Sequence, residues 1–200
     1  MSRLVIASAA AFESEELVRR LGLLSIPVTN IITGIGHTQS TIIASRLQSF
    51  IRGRDVIFCC TGGVIGPFEA VSIFRATSVK LAPFDVRAGH AELLDPFDAT
   101  CALTGLPLDL PTCDVFASLG ITVASEVRPI PGVKLETLEL YGVARAWLSE
   151  ANSFTAIVAS TNATGPTARQ QWRDNFQLAA TLTADTMVPY LERLRHSWTT

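Results

Sequence analysis

Apolar residues along this chain form short continuous runs separated by stretches with helical spacing. The runs over residues 4–9, 55–60 and 154–160 predict strands buried on both faces, because a half-exposed strand would alternate apolar and polar positions. Helical spacing over residues 14–21 and 172–195 predicts a first and a long last helix. Further strands are predicted over 28–32, 71–80 and 121–127, and further helices over 38–51 and 136–150.

This succession of strands and helices predicts an α/β fold around a central mixed, mostly parallel sheet flanked by helices. Residues 81–120 are rich in Pro, Asp and Gly, and we expect loops with short elements there. In such sheets ligands bind beyond the carboxyl ends of the strands. The residues that follow each strand are therefore the first candidates for a ligand-binding or catalytic site.

Composition excludes several classes of function. The 200 residues are 48% hydrophobic, which suits one compact domain over residues 1–200 with a sizeable core. The net charge is −2 and the basic residues are scattered, which argues against nucleic acid and against an anionic membrane surface as partners. No segment reaches the roughly 20 apolar residues that cross a bilayer. The first apolar run is too short for a secretory signal, so we expect a cytoplasmic protein.

The four cysteines do not suggest a zinc site or a disulfide framework. Cys59 and Cys60 are neighbours that point to opposite faces of a strand, and no Cys-x-x-Cys or Cys/His spacing occurs. Buried thiols in a reducing compartment are the simplest interpretation. We expect neither a metal nor an organic cofactor.

Two carboxylates, Glu136 and Glu139, lie three residues apart at the start of a run that otherwise predicts a buried helix. Acidic side chains are almost never fully buried without a partner, so these acids need an explanation. A bound ligand with hydroxyl donors is one. A helix-start acid favoured by the helix dipole, or a salt bridge to Arg145, is the alternative.

Glu13 is the first carboxylate after the first strand, and Glu15 is its rival because the register there is uncertain by two residues. An acid in the first turn of a helix is the structural alternative for either residue. Asn162 follows the last strand and can offer both a donor and an acceptor, although turns and helix caps are the commoner use of Asn. Trp172 can stack on a flat ligand, but a packing role is commoner.

Glycines follow two of the predicted strands. Gly34 and Gly36 lack the third glycine of a dinucleotide fingerprint, and no lysine follows them as in a phosphate-binding loop. Gly62 and Gly63 form the second pair. A lone glycine pair is usually a tight turn between a strand and a helix, and it also lets backbone N–H groups approach a ligand closely.

Taken together, these segments resemble the nucleoside phosphorylase/nucleosidase superfamily. Its pattern is a strand with an early acid, a G-[IV]-G turn, a second glycine turn, a V-E-x-M-E segment and a final I-S-[DN]. The matching segments here, in order, are Ala11-Phe-Glu13, Thr33-Gly-Ile-Gly36, Thr61-Gly-Gly63, Glu136-Thr-Leu-Glu139 and Ser160-Thr-Asn162. The last one continues to Gly165, Arg169 and Trp172, and in this it resembles the I-S-N-x-x-G-x-R-x-x-x-W of futalosine hydrolases.

The sequence departs from these motifs at three places. Leu138 stands where the family has methionine, Thr161 where it has serine, and Leu140-Tyr-Gly142 where it has small residues. Methylthioadenosine/adenosylhomocysteine nucleosidases carry an aspartate at the position of Asn162. These differences affect the substrate more than the superfamily.

The resemblance implies a single three-layer domain that hydrolyses the N-ribosidic bond of a purine nucleoside. Cleavage of such a bond passes through an oxocarbenium-like transition state. Glu139 would hold the ribose hydroxyls, Glu13 would orient and deprotonate water, and Asn162 would assist the leaving purine. Glu136 would anchor a loop or touch the ribose edge. The other residues expected at the substrate are Gly36, Gly62, Gly63, Leu138, Thr161 and Arg169.

Futalosine or aminodeoxyfutalosine, of menaquinone biosynthesis, is the expected substrate. No Arg or Lys directly follows Gly36 or Gly66, which favours water over phosphate as the nucleophile. A methylthioadenosine/adenosylhomocysteine nucleosidase is the alternative enzyme. A catalytically silent nucleoside-binding protein is the alternative outside enzymes, because asparagine cannot deliver a proton. A homodimer is expected from the resemblance.

Overall fold

A computed structural model describes residues 2–82, 87–88, 100–124 and 131–197. The strands in this part are β1 (Leu4–Ser8), β2 (Val28–Ile32), β3 (Asp55–Val64), β4 (Ile73–Leu81), β5 (Thr100–Ala102), β6 (Thr112–Ala117), β7 (Lys134–Thr137) and β8 (Ser153–Ala163). The helices are α1 (Ala11–Leu23), α2 (His37–Arg46), α3 (Gln48–Ile51), α4 (Leu140–Trp147) and α5 (Ala168–Leu194), followed by a 3₁₀ turn, Arg195–Ser197.

The strands form one mixed sheet, and most of the pairings between described strands are parallel. β2, β1, β3 and β8 are parallel neighbours, and β7, β6 and β4 form a second parallel group. Antiparallel pairs join the groups, β3 to β7 and β8 to β4, while β5 pairs antiparallel with β4. The predicted mixed, mostly parallel sheet is confirmed.

Alternate strand residues pack on opposite faces of the sheet. Leu4 and Ile6 of β1 belong to a cluster that includes Leu17 of α1 and Met187 of α5. Val5 and Ala7 belong to the other cluster, which contains side chains of α2 and α4. Because strand side chains alternate with a period of two, this arrangement requires helices on both faces. It explains why Leu4 to Ala7 of β1 are all apolar.

Two predictions about elements are wrong. Glu136 was expected at the start of a helix over 136–150, but it lies in β7, and α4 begins only at Leu140. The strand predicted over 121–127 is absent from residues 121–124, and residues 125–127 lie outside the described part. The predicted helix over 38–51 divides at Leu47 into α2 and α3. Within residues 81–120, described in part, β5 and β6 are the expected short elements.

No helix in the described part is both long and apolar enough to span a membrane.

Candidate active site

A cavity of about 400 Å³ opens where β1, β3, β7 and β8 end. It therefore lies where ligands collect in sheets of this kind, beyond the carboxyl ends of parallel strands. Its wall combines carboxylates, glycine backbone and apolar side chains. The lining residues are Ala9, Ala10, Phe12, Glu13, Ile35, Thr61, Gly62, Gly63, Ile121, Val123, Glu136, Thr137, Leu138, Glu139, Thr161, Asn162, Ala168, Arg169 and Trp172.

Glu13 is buried in the first turn of α1, and four hydrogen bonds hold its carboxylate. Oε2 accepts the N–H groups of Ala9 (3.1 Å) and Ala10 (3.0 Å), which lie just before the helix. Oε1 accepts the N–H (2.9 Å) and the hydroxyl (3.0 Å) of Thr61 on β3. Glu13 thus caps its helix, as the structural alternative requires, and it also faces the cavity. Glu15 is exposed and does not border the cavity, because two residues turn a helix by more than half a revolution.

Glu139 is buried immediately before α4 and also lines the cavity. Its Oε1 accepts the backbone N–H of Gly36 at 2.7 Å. Gly36 has φ +88° and ψ 154°, a conformation that is close to glycine-only. The first glycine turn therefore delivers a backbone donor to a carboxylate far along the chain. The sequence pattern identified Gly36 and Glu139 as candidates but did not indicate that they form a hydrogen bond.

Burial raises the pKa values of both carboxyls, and at Glu13 the charge of Glu139 adds to this effect. Desolvation is the largest cause for Glu13, the negative charge of Glu139 is the next, and together they raise its pKa from 4.5 to about 7 despite the hydrogen bonds from Ala10 and Thr61. Desolvation also raises the pKa of Glu139, while the N–H of Gly36 counteracts it. A carboxyl with a pKa near neutrality suits proton transfer at physiological pH.

A register shift in the sheet presents Asn162 to the cavity. Gly62 pairs with Ser160 and Gly63 pairs with Asn162, so Thr161 is an extra residue in β8. Bulges of this kind commonly redirect side chains beside active sites. Gly63 is required here, because a Cβ atom on it would lie 2.7 Å from Nδ2 of Asn162. The Thr161 hydroxyl lies 2.8 Å from Oδ1 of Asn162, and Nδ2 donates to the carbonyl of Ala163 at 2.9 Å.

Gly62 allows β3, β7 and β8 to approach closely under the cavity floor. A Cβ atom on Gly62 would lie 3.0 Å from Cγ1 of Val158 and 3.2 Å from the carbonyl oxygen of Glu136. The two glycines of the second pair thus have different roles. Gly62 allows β3, β7 and β8 to pack closely, and Gly63 leaves space for the side chain of Asn162.

Glu136 borders the cavity but is bound by protein groups. Thr122 donates its N–H to Oε1 (2.9 Å) and its hydroxyl to Oε2 (2.5 Å). Arg87 forms an ion pair with Oε2. The structure therefore favours loop anchoring over ribose contact for Glu136, and it gives no support to the salt bridge with Arg145 as the explanation of these acids. No sequence motif around Arg87 or Thr122 indicates that either residue contacts Glu136.

Aromatic residues close the cavity beside Glu13. Trp172 stacks on Phe176 with centroids 5.4 Å apart and meets the edge of Phe12 at 5.8 Å. Its Nε1 donates to the Thr61 hydroxyl at 3.2 Å, so a chain of hydrogen bonds links Trp172 through Thr61 to Glu13. Phe12 was missed as a lining residue, although it precedes Glu13 directly.

Of the remaining expected residues, Leu138, Arg169 and Thr161 border the cavity, whereas Gly36 does not line it and acts on it only through its hydrogen bond to Glu139. Arg169 lies in the first turn of α5 and is exposed. Sequence reasoning missed the apolar residues Ile35, Ile121 and Val123, which line the cavity while staying substantially exposed. Within the described residues, no group of three or more His, Cys, Asp or Glu side chains is arranged to hold a metal ion.

Comparison with solved structures identifies the fold. The 5′-methylthioadenosine/S-adenosyl homocysteine nucleosidase of Helicobacter pylori superposes with a TM-score of 0.75 at 13% identity, over 96% of this chain and 98% of that one. The nucleosidase of the same name from Neisseria meningitidis gives 0.75 at 15% identity, over 96% and 99% of the two chains. Futalosine hydrolase of Helicobacter pylori gives 0.75 at 11% identity, over 96% and 97%.

This is a nucleosidase fold. The suspected relationship to methylthioadenosine nucleosidases and futalosine hydrolases is thus confirmed at the level of structure. At 11–15% identity the likeness shows the fold alone. No protein-family model matches the sequence, and no curated protein matches it either.

Proposed function

We propose that the protein is a nucleosidase that hydrolyses the N-ribosidic bond of a purine nucleoside. The observation that carries this proposal is the pair of buried carboxylates, Glu13 and Glu139, that line one cavity in a nucleosidase fold. Buried acids without a full set of counter-charges destabilise a protein, so their presence in a cavity favours a ligand that compensates them.

Glu139 is suited to hold ribose. Its Oε1 is oriented by the N–H of Gly36. A vicinal diol can donate to such a carboxylate, and a fixed negative charge beside the ribose stabilises the positive charge that develops on the ring as the bond to the base breaks. Leu138 would cover the apolar face of the sugar.

Glu13 would act as the general base. Its four accepted hydrogen bonds fill the lone-pair capacity of the carboxylate, so an attacking water must replace one of them. The Thr61 hydroxyl is the replaceable donor, because it can rotate, whereas the three backbone N–H groups are fixed. General base catalysis of this kind accelerates reactions by roughly 10²–10⁴-fold.

Asn162 would assist the departing purine by donating a hydrogen bond to a ring nitrogen. The side chain cannot protonate the base, so the proton on the leaving group must come from water. A single three-layer domain over residues 1–200, a homodimer, a cytoplasmic location and catalysis without metal or cofactor complete the proposal.

Futalosine or aminodeoxyfutalosine is the proposed substrate, because the segment from Asn162 to Trp172 carries the Asn, Arg and Trp of the futalosine hydrolase motif. The apolar rim of Ile35, Ile121 and Val123 supports a second candidate, a nucleoside with an apolar 5′ substituent such as methylthioadenosine.

The test is release of free base, followed by chromatography. Futalosine, aminodeoxyfutalosine, methylthioadenosine and inosine are offered separately, with and without phosphate, and Glu139→Gln serves as the inactive control. Base released from a futalosine without phosphate supports the proposal, and preference for methylthioadenosine selects the second candidate. Strict phosphate dependence would make the protein a phosphorylase. Ligand-dependent thermal stabilisation without product would identify a silent binding protein, as Asn162 allows.

A further inference from the structure

The indole of Trp172 is hydrogen-bonded to a group that itself holds the Glu13 carboxylate. Nε1 of Trp172 lies 3.2 Å from Oγ1 of Thr61, and this oxygen lies 3.0 Å from Oε1 of Glu13. An indole N–H can only donate, so the Thr61 hydroxyl must accept from Trp172. One lone pair of the hydroxyl oxygen is thereby bound by a group that cannot take up a proton.

Among the four hydrogen bonds to Glu13, the one from the Thr61 hydroxyl differs in kind. The N–H groups of Ala9, Ala10 and Thr61 can only donate to the carboxylate, whereas a hydroxyl can donate or accept. Among these four groups, a protonated Glu13 can therefore donate only to the Thr61 hydroxyl, where Trp172 competes for the same oxygen. The indole N–H thus favours the arrangement in which Thr61 donates and Glu13 is ionised.

Helix α5, which carries Trp172, is also held at the end of β8 by other side chains. Oε1 of Gln171 accepts the N–H of Ala163 at 2.9 Å. Nδ2 of Asn175 donates to the carbonyl of Thr161 at 2.9 Å. The docking of the helix therefore has support that is independent of the indole N–H.

We propose that Trp172 is a positioning residue of the general base: its indole N–H fixes the direction of the Thr61 hydroxyl and thereby keeps Glu13 in position to accept a proton from the attacking water. This inference rests on the proposed function, in which Glu13 is the base and the Thr61 hydroxyl gives way to water. With one lone pair of Oγ1 bound by Trp172, the hydroxyl proton is directed either towards Glu13 or towards the entering water. The indole restricts the rotation to these two directions.

The titratable groups that share the cavity or an electrostatic interaction with Glu13 come from four parts of the fold. They are Cys59 and Cys60 of β3, Glu136 of β7, Glu139 before α4 and Arg169 of α5. The two thiols stay neutral because burial raises their pKa values, that of Cys59 to about 12. Trp172→Phe adds and removes no charge, so a changed pKa of Glu13 in this variant reports the lost N–H donor.

Trp172→Phe removes the donor and keeps an aromatic ring beside Phe12 and Phe176. We expect the acidic limb of kcat/KM to move to higher pH by about 0.5 pH unit, and kcat at pH 7 to fall about two- to threefold with KM changed less than about twofold. Trp147→Phe is the matched control, because it removes an indole hydrogen bond to the carbonyl of Ala44 outside the cavity lining. It should lower stability without moving the limb. An acidic limb that stays in place in Trp172→Phe would overturn the proposal.

Variants of Thr61 show whether the indole acts through the hydroxyl or only through packing. In Thr61→Val the acceptor is gone, so the addition of Trp172→Phe should move the limb no further. In Thr61→Ser, which keeps a hydroxyl, Trp172→Phe should move the limb as it does in the unmodified protein. Equal movements in the valine and serine backgrounds would refute the proposal, because the effect of Trp172 would then come from its ring.

Titration of Glu13 separates failure of this inference from failure of the proposed function. NMR of labelled glutamate reports the pKa of Glu13 in the absence of any substrate. If no nucleoside is hydrolysed, the proposed function fails, and this titration alone tests the link from Trp172 to Glu13. A higher pKa in Trp172→Phe but not in Trp147→Phe would support the link, and the same pKa in both variants would refute it.

Discussion

The Oε1 atom of Glu139 accepts a hydrogen bond from the N–H of Gly36 at 2.7 Å, across 103 residues of sequence. The turn between β2 and α2 thereby orients a carboxylate that begins α4. No heavy atom lies within 4 Å of a Cβ built on Gly36, so the requirement for glycine comes from its φ of +88°, not from space. The backbone conformation of Gly36, which does not itself line the cavity, thus helps to set the position of a carboxylate that does.

Gly36→Ala is therefore expected to act through the backbone. An alanine there costs about 1–3 kcal/mol of strain or moves the N–H away from Glu139. We expect a lower melting temperature together with a fall in kcat/KM of about tenfold or more. Gly53→Ala is the control, because Gly53 also has a positive φ (+70°) and open space but lies outside the cavity lining. An equal loss of kcat/KM in both variants would show that Gly36 has no special link to the site.

The two cavity carboxylates should be indispensable for catalysis. Glu13→Gln and Glu139→Gln are expected to lower kcat by about 10²-fold or more, because each removes a charge that the reaction uses. Initial rates of base release measure the loss. Circular dichroism must show an intact fold, particularly for Glu13→Gln, whose new amide group faces backbone donors. Glu15→Gln is the matched control and should keep full activity, since Glu15 is exposed. Normal rates in both cavity variants would exclude the proposed mechanism.

Activity should rise with pH through about pH 7. Burial, followed by the charge of Glu139, raises the pKa of Glu13 to about 7, and only the ionised form can accept a proton from water. The acidic limb of kcat/KM against pH reports this group in the free enzyme. In Thr61→Val the limb should move to higher pH, because the lost hydroxyl hydrogen bond had stabilised the ionised form.

Glu139→Gln tests the effect of the Glu139 charge on the pKa of Glu13 directly. Removal of the like charge should lower the pKa of Glu13, yet leave it above 4.5 because burial is the larger cause. NMR titration of labelled glutamate measures this in a variant that is expected to be inactive. A pKa of Glu13 that does not change would mean that the two carboxyls do not interact.

The same shifts set the pH dependence of stability. Both pKa values are raised in the folded protein, so between pH 4.5 and about 7 the folded state retains protons that the unfolded chain releases. The free energy of unfolding attributed to Glu13 should therefore fall as pH rises over this window, by on the order of 3 kcal/mol, and stay constant above it. Urea denaturation at several pH values measures the fall. A smaller fall is expected in Glu139→Gln, and an equal fall would argue against this assignment.

Local sequence patterns correctly identified several strands. β1, β3 and β8 are buried on both faces, so their apolar runs identified them, and β2 matched its predicted bounds. Glu13 was preferred to Glu15 by spacing from β1, and the structure places only Glu13 at the cavity. Each of these conclusions depended on residues close together in the sequence.

Long-range contacts decided what sequence reasoning missed. β7 has only four residues, and its pairing with the distant strands β3 and β6 overrides the helical appearance of the segment around Glu136. Arg87 and Thr122 meet Glu136 from loops with no motif. The link from Gly36 to Glu139 and the shift that makes Thr161 an extra residue arise likewise only when strands pair.

Close packing of α2 against α4 holds Gly36 and Glu139 at their mutual distance, because both residues stand at the N-terminal ends of these helices. Gly142 is the point of contact: a Cβ atom there would lie 1.9 Å from Oγ1 and 3.0 Å from Cβ of Thr41. We expect Gly142→Ala to force the helices apart, to lower the free energy of unfolding by about 1–3 kcal/mol, and to reduce kcat/KM as well.

The companion change Thr41→Ala removes the nearer clashing atom, so Gly142→Ala should cost less in that background. The coupling energy in a double-mutant cycle, measured by urea denaturation, should reach about 1 kcal/mol in the favourable direction. The double variant should also recover part of the kcat/KM that Gly142→Ala loses, since restored helix packing brings the N–H of Gly36 back towards Glu139. Strictly additive effects on stability would show that Gly142 and Thr41 do not limit the approach. Recovery of stability without recovery of activity would separate helix packing from the geometry of the carboxylate.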